Sequence, residues 1–230
     1  MNRYGTIKQR LTNNAYFEGE LAVSPDFQRV IFASNRNGDY DLYLADLNDM
    51  DNPKRLTNTL GYEGGVQFAP DGRSIAFLAW RPQSPEAQEC YRWLTSYNFT
   101  DVERFDVYLL DLESGEERKV TDFAARLDES ELNATWTTPY FAFAPNADLY
   151  VKHDTQFYHV NPAAAAATPI ELKFFPNDNL FEAFQLRNDT IVAFTGSADV
   201  YQIVRGKYNF SATYDIHIPQ ILSVSSLRTN

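Results

Sequence analysis

The chain has 230 residues, enough for one large domain or two small ones. Its 20 Lys and Arg against 31 Asp and Glu leave a formal net charge of −11, which repels phosphate and weighs against nucleic acid or anionic membrane as a partner. A single cysteine, Cys90, excludes an internal disulfide and a Cys-rich zinc site, and no apolar run approaches the roughly 18 residues of a membrane-spanning helix.

The opening Met1-Asn2-Arg3-Tyr4 does not read as a signal peptide. Ile7–Thr12 reads as a strand that ends a sheet whose earlier strands are not upstream of it, and Ile216–Leu227 is the candidate to complete that sheet. The next segment begins a repeat. Phe17-Glu18-Gly19-Glu20-Leu21-Ala22-Val23-Ser24-Pro25-Asp26 is echoed by Tyr62-Glu63-Gly64-Gly65-Val66-Gln67-Phe68-Ala69-Pro70-Asp71, 45 residues later. Arg10-Leu11-Thr12 and Arg55-Leu56-Thr57 keep the same interval. A period of about 40–45 residues is that of a propeller blade.

In the first copy, turn residues divide the chain into four expected strands, Glu20–Ser24, Arg29–Ser34, Tyr40–Asp46 and Lys54–Thr57. Asn37-Gly38-Asp39 is a hairpin signal, and Asn48–Pro53 is expected to be a turn. The stretch Asn35–Asp41 is oxygen-rich, like a calcium loop, but it lacks the distal bidentate Glu, so the turn reading prevails.

In the second copy the third strand, Asp106–Leu112, stands 65 residues after its counterpart Asp41–Leu47, so about 20 residues are inserted before it. The insertion spans residues 80–105. Ser84 is a candidate N-cap and Pro85 suits the first helical position, which gives a short helix over Pro85–Leu94. A third copy runs through Tyr140–Pro145, Leu149–Val151 and Phe157–Val160, with Ala163–Ala167 a linker. A fourth runs through Phe181–Leu186, Thr190–Phe194, Val200–Val204 and Tyr208–Tyr214. The expected architecture is all-β: one propeller over residues 1–230, of four-stranded blades, about five of them, or a part of a six- or seven-bladed type.

The string Ser24-Pro25-Asp26, Val30-Ile31-Phe32-Ala33-Ser34-Asn35-Arg36-Asn37-Gly38-Asp39-Tyr40-Asp41-Leu42-Tyr43 and Arg55-Leu56-Thr57 resembles the repeat of TolB-like β-propellers. The same repeat occurs in propellers of prolyl oligopeptidase and dipeptidyl peptidase relatives. The resemblance covers residues 8–122, and Phe27 stands where the second copy has Gly72. It implies periplasmic or extracellular work and protein partners.

Catalysis has little support in the residues. There is no Gly-x-Ser-x-Gly elbow, no glycine-rich phosphate loop, and His153, His159 and His217 lack paired spacing. No cofactor or metal is expected. Recognition is the better reading. Glu18 and Glu63 occupy equivalent positions beside the expected channel mouth, and Arg36 lies on the loop face formed with Asn13–Gly19, Asn58–Gly65 and the insertion. In the insertion, Trp80, Arg81, Tyr91 and Trp93 have the composition of interface hot spots.

The alternative, favoured for each residue taken singly, is that the two tryptophans merely pin the helix onto its own blade. Glycosylation sequons begin at Asn98, Asn133, Asn188 and Asn209. The expected function is a non-catalytic scaffold for a protein or surface glycan. The alternatives are a structural subunit joined by end-blade strand pairing, with self-association, and a propeller accessory to a separate hydrolase.

Overall fold

The computed structural model describes residues 11–96, 105–123, 138–153, 156–160, 168–170, 181–187, 190–195, 199–204 and 207–213. Residues Met1–Thr138 and Pro139–Asn230 form two compact units.

In the first unit, β1 (Glu18–Val23), β2 (Arg29–Ser34), β3 (Asp41–Asp46) and β4 (Asp49–Arg55) form one antiparallel sheet in sequence order. A second sheet repeats this with β5 (Tyr62–Phe68), β6 (Ser74–Trp80), β7 (Asp106–Asp111) and β8 (Glu117–Lys119). The insertion between β6 and β7 carries α1 (Pro85–Ser96).

The second unit contains a sheet of β9 (Tyr140–Phe143), β10 (Leu149–His153), β11 (Gln156–Val160) and β12 (Thr168–Ile170). It also contains one of β13 (Phe181–Arg187), β14 (Thr190–Thr195), β15 (Asp199–Val204) and β16 (Lys207–Thr213). All four expected repeats are thus four-stranded sheets. The expected pairing of Ile7–Thr12 with Ile216–Leu227 and the Ala163–Ala167 linker lie outside the described residues, as do Asn98, Asn133 and Asn188. Asn209 is in β16, opposite Gln202 of β15.

Most strand bounds shift by a residue or two from expectation, and the shifts at β1 and β4 matter most. β1 begins at Glu18 rather than Glu20, and β4 occupies Asp49–Arg55 rather than Lys54–Thr57. The Asp46 carboxylate accepts from the Asn48 amide at 2.7 Å, so the chain reverses at once and Asp49 pairs with Asp46. β4 is the outer edge strand, where Pro53 has no inner ladder bond to break. Thr57 lies past the strand and contributes its side chain instead: Oγ1 accepts the Leu42 amide at 2.9 Å. Thr121 does the same for Val107 at 2.8 Å.

The two sheets of the first unit pack face to face. Ile31, Ala33 and Leu42 of the first sheet meet Val66, Ile75, Phe77, Ala79 and Leu110 of the second. Phe32, Leu42, Phe77 and Val107 are all buried. Because strand side chains alternate, Phe32 and Leu42 fall on opposite faces: Phe32 pairs with Tyr43, and Leu42 with Ala33.

The two Pro-Asp turns and the Pro145-Asn146 turn share a backbone device. The residue two after the proline is left-handed in three copies: Phe27 at φ 59°, Gly72 at φ 68° and Ala147 at φ 68°. Phe27 therefore adopts a conformation that glycine takes without a Cβ clash. Within β1 the bulge residue Glu20 has φ 50°, and its repeat counterpart Gly65 has φ 58°.

Candidate functional site

The segments expected to gather at one end of the blades do so in the first unit. The Phe17 amide donates to Asn35 Oδ1 at 2.9 Å, and the Glu63 amide donates to the Tyr40 carbonyl at 3.0 Å. The Gly61 amide donates to Asp39 Oδ2 at 3.1 Å. A Cβ on Gly61 would lie 2.1 Å from the Trp80 carbonyl oxygen, so this close approach requires glycine. An aromatic row, Phe17, Tyr40, Tyr62 and Phe105, runs through the same region with centroid separations of 5.5, 5.3 and 5.7 Å. Phe17 stands just before the first strand of its copy and Tyr62 opens the first strand of the second, while Tyr40 and Phe105 each stand just before a third strand.

The four charged residues singled out by sequence form two copies of one clasp. Arg36 Nη2 lies 2.5 Å from Glu18 Oε1, and its guanidinium covers the rings of Phe32 and Tyr43 at 5.3 and 4.6 Å. Arg81 Nη2 lies 2.5 Å from Glu63 Oε1, and its guanidinium covers Phe77 and Tyr108 at 5.9 and 4.3 Å. Arg81 also binds Glu117, with Nη2 donating to Oε2 at 2.8 Å. The planar guanidinium suits both duties, a carboxylate at its edge and a ring at its face.

Glu63 is fully buried, so it offers no surface to a partner. Burial pushes its carboxyl up to about 7 against the opposing pull of Arg81 and Thr57. Asp41, also fully buried, is held by Arg55 Nη2 at 2.7 Å and is lifted by burial to about 6. In the second blade Asp106 Oδ1 accepts from Thr121 at 3.0 Å and the Phe123 amide at 2.6 Å.

The helix begins as its sequence dictates. Ser84 Oγ accepts the Ala87 amide at 3.1 Å, and the Ser84 carbonyl takes the Gln88 amide at 3.0 Å. It continues two residues beyond the expected end. Trp80 is half-buried and meets Tyr91 edge-on at 5.2 Å, and Tyr91 is buried. The Tyr91 hydroxyl reaches Asp39 Oδ1 and lies 2.6 Å from the Gly61 carbonyl, which ties the insertion to the hairpin of the neighbouring blade. Burial and the adjacent Asp39 push this phenol well above its ordinary range. Trp93 and Arg92 are exposed on the outer side of the helix, Trp93 with 61% of its surface accessible.

Sequence reasoning missed Asp39 as the hub of this end of the blades, along with Glu117, Glu20, and the Asp41–Arg55 pair. A signal was present for the clasp: Glu18 to Arg36 and Glu63 to Arg81 share an interval of 18 residues. Asp39 had no such signal, because its partner Tyr91 belongs to an insertion without a counterpart in the first copy.

The described residues include no group of three or more His, Cys, Asp or Glu placed to hold a metal ion, and no helix long and apolar enough to cross a membrane. No protein-family model matches the sequence, and no curated protein matches it. Solved structures do.

TolB from Acinetobacter baumannii superimposes with a TM-score of 0.55 at 18% identity, over 85% of this chain and 43% of that one. Oligogalacturonate lyase from Vibrio parahaemolyticus gives 0.56 at 13% identity, over 87% of this chain and 55% of that one. The β-propeller domain of the trilobed protease from Pyrococcus furiosus gives 0.50 at 14% identity, over 85% and 57%. The chain spans about half the length of these structures. At such identities the likeness is one of fold, and the fold is that of a TolB-like β-propeller built from four-stranded blades.

Proposed function

We propose that the chain is a non-catalytic, protein-binding propeller that works in a periplasmic or extracellular setting. The observation that carries this reading is the fixed presentation of α1. Tyr91 and Trp80 hold one side of the helix against the blades, while Trp93 and Arg92 stand outward on the other. A rigid support with an exposed Trp and Arg is the arrangement of an interface anchor, because little side-chain and backbone freedom remains to be lost on binding.

Glu18, Arg36, Glu63, Arg81, Trp80 and Tyr91 then act as the support, and Trp93 as the contact. A second reading, a propeller accessory to a separate hydrolase, draws on the likeness to the propeller domain of a protease.

The test is site-specific photo-crosslinking in the native host. A photoreactive residue at position 93 should yield one discrete protein adduct, and the same residue at position 48, in the β3–β4 turn, should not. Equal adducts at both positions, or none at 93, would remove the proposed contact. An adduct that proves to be a hydrolase would favour the accessory reading.

A further inference from the structure

By sequence the insertion belongs to the second blade, since it joins β6 to β7. Its buried tyrosine docks on the first. The Tyr91 hydroxyl reaches Asp39 Oδ1, on the hairpin between β2 and β3, and lies 2.6 Å from the Gly61 carbonyl, in the connection from β4 to β5. Asp39 holds the same connection, its Oδ2 accepting the Gly61 amide at 3.1 Å. Hairpin, connection and insertion therefore meet at Gly61, which is buried and passes so close to the Trp80 carbonyl that no side chain fits there.

The two sheets are knit at this end by main chain as well as by packing. The Glu63 amide donates to the Tyr40 carbonyl at 3.0 Å, and Tyr40 and Tyr62 pair as a parallel bridge. The donor of the Tyr91–Asp39 bond rides on the second blade and its acceptor on the first, so the bond is made when the blades are closed on each other.

Tyr91 is buried, with its ring edge-on to Trp80 at 5.2 Å. A phenylalanine would fill the same space, and the hydroxyl adds a tie to a residue 52 positions away. Trp93 stands two residues further on, about 200° round the helix, with most of its surface accessible. Fixing the tyrosine therefore fixes the direction of the indole.

We propose that Asp39 and Tyr91 form a latch through which the seam between the first two blades and the partner contact at Trp93 control each other. The proposal rests on the reading of Trp93 as that contact. In the latched state α1 is docked and Trp93 is held outward. In the unlatched state the blades part at this end and the helix is released. A partner that grips Trp93 on the docked helix prefers the latched state, so its binding holds the seam closed. By linkage, an opened seam weakens that binding by the same factor.

Tyr91→Phe keeps the ring and removes the tie, and Asp39→Ala removes its acceptor. In each, hydrogen exchange over α1 should quicken by roughly tenfold while β2 and β6 change little. The double variant should be no faster than the quicker single one, because both break one bond. A nitroxide on Cys90, the single cysteine and exposed on α1, should gain motion in both variants. Thr57→Val, which weakens the seam without touching the latch, should leave α1 exchange and label motion as they are.

Unchanged exchange in Tyr91→Phe, equal acceleration throughout both sheets, or the same response from Thr57→Val would overturn the latch. The crosslinked adduct at position 93 should fall several-fold in Tyr91→Phe. An undiminished adduct would overturn the coupling and leave Trp93 as the contact. A loosened helix in Tyr91→Phe with no adduct in the unsubstituted chain would overturn the coupling together with the contact and leave the latch standing.

Discussion

Arg81 holds Glu63 at 2.5 Å while lying 4.3 Å above the ring of Tyr108, so one guanidinium both neutralises a fully buried carboxylate and roofs an aromatic pair. Arg81→Met keeps the hydrophobic cover and removes the charge. At pH 8 the uncompensated Glu63 should cost about 3–5 kcal/mol in urea unfolding. The loss should be smaller at pH 5, where Glu63 can be protonated, and Arg81→Met with Glu63→Gln should recover much of it. Equal losses at both pH values would show that Glu63 does not titrate against Arg81.

The wild-type chain should also lose stability as pH rises. The folded state holds a proton on Glu63 up to about 7 and on Asp41 up to about 6, against ordinary values of 4.5 and 3.8. Between these limits the folded form binds more protons than the unfolded one, so stability falls with increasing pH and levels off above about 7. Asp26 and Asp111 are shifted downward, so their opposite contribution falls below pH 4. Urea midpoints from pH 4.5 to 8 should show the decline, and Glu63→Gln should flatten it. A midpoint that climbs across this range would contradict the assignment.

Phe27 keeps a left-handed backbone at φ 59° with a ring that is mostly in solvent. The second copy has Gly72 in the same turn. Phe27→Gly should stabilise the chain by about 0.5–1 kcal/mol, the left-handed penalty being partly offset by the extra freedom glycine gives the unfolded chain. A destabilisation of similar size in thermal unfolding would mean that the ring contributes packing.

Thr57 and Thr121 each complete a ladder with a hydroxyl oxygen that accepts a buried amide. Thr57→Val and Thr121→Val are nearly isosteric and leave the amides of Leu42 and Val107 without that acceptor. Each should cost about 1–3 kcal/mol. The two losses should be of similar size, because each hydroxyl also serves a buried carboxylate, Thr121 that of Asp106 and Thr57 that of Glu63. Serine at either position should restore most of the loss, and a failure to do so would implicate packing instead of the hydroxyl.

The blades were legible because their signals are local. Ser-Pro-Asp and Asn-Gly-Asp turns, period-two alternation and the 45-residue interval all act within a few residues of where they stand, and β2 emerges with the bounds read from its sequence. The helix start was legible for the same reason, since Ser84 and Pro85 act on the first turn. The end of β4 was not, because Thr57 serves Leu42 through a side chain across 15 residues and so imitates a strand residue.

By itself the sequence determined four-stranded repeats, their order, the inserted helix and the absence of a nucleophile motif. The tertiary structure decided what the charged and aromatic residues do. Glu63 reads as an exposed recognition acid until Arg81, the neighbouring sheet and Thr57 enclose it. Tyr91 reads as a hot spot until it is found tied to Asp39, 52 residues away. Burial and partner choice arise from contacts between sheets, which no local pattern encodes. For that reason Phe17 and Tyr62, equivalent by repeat, end 44% and 6% exposed respectively.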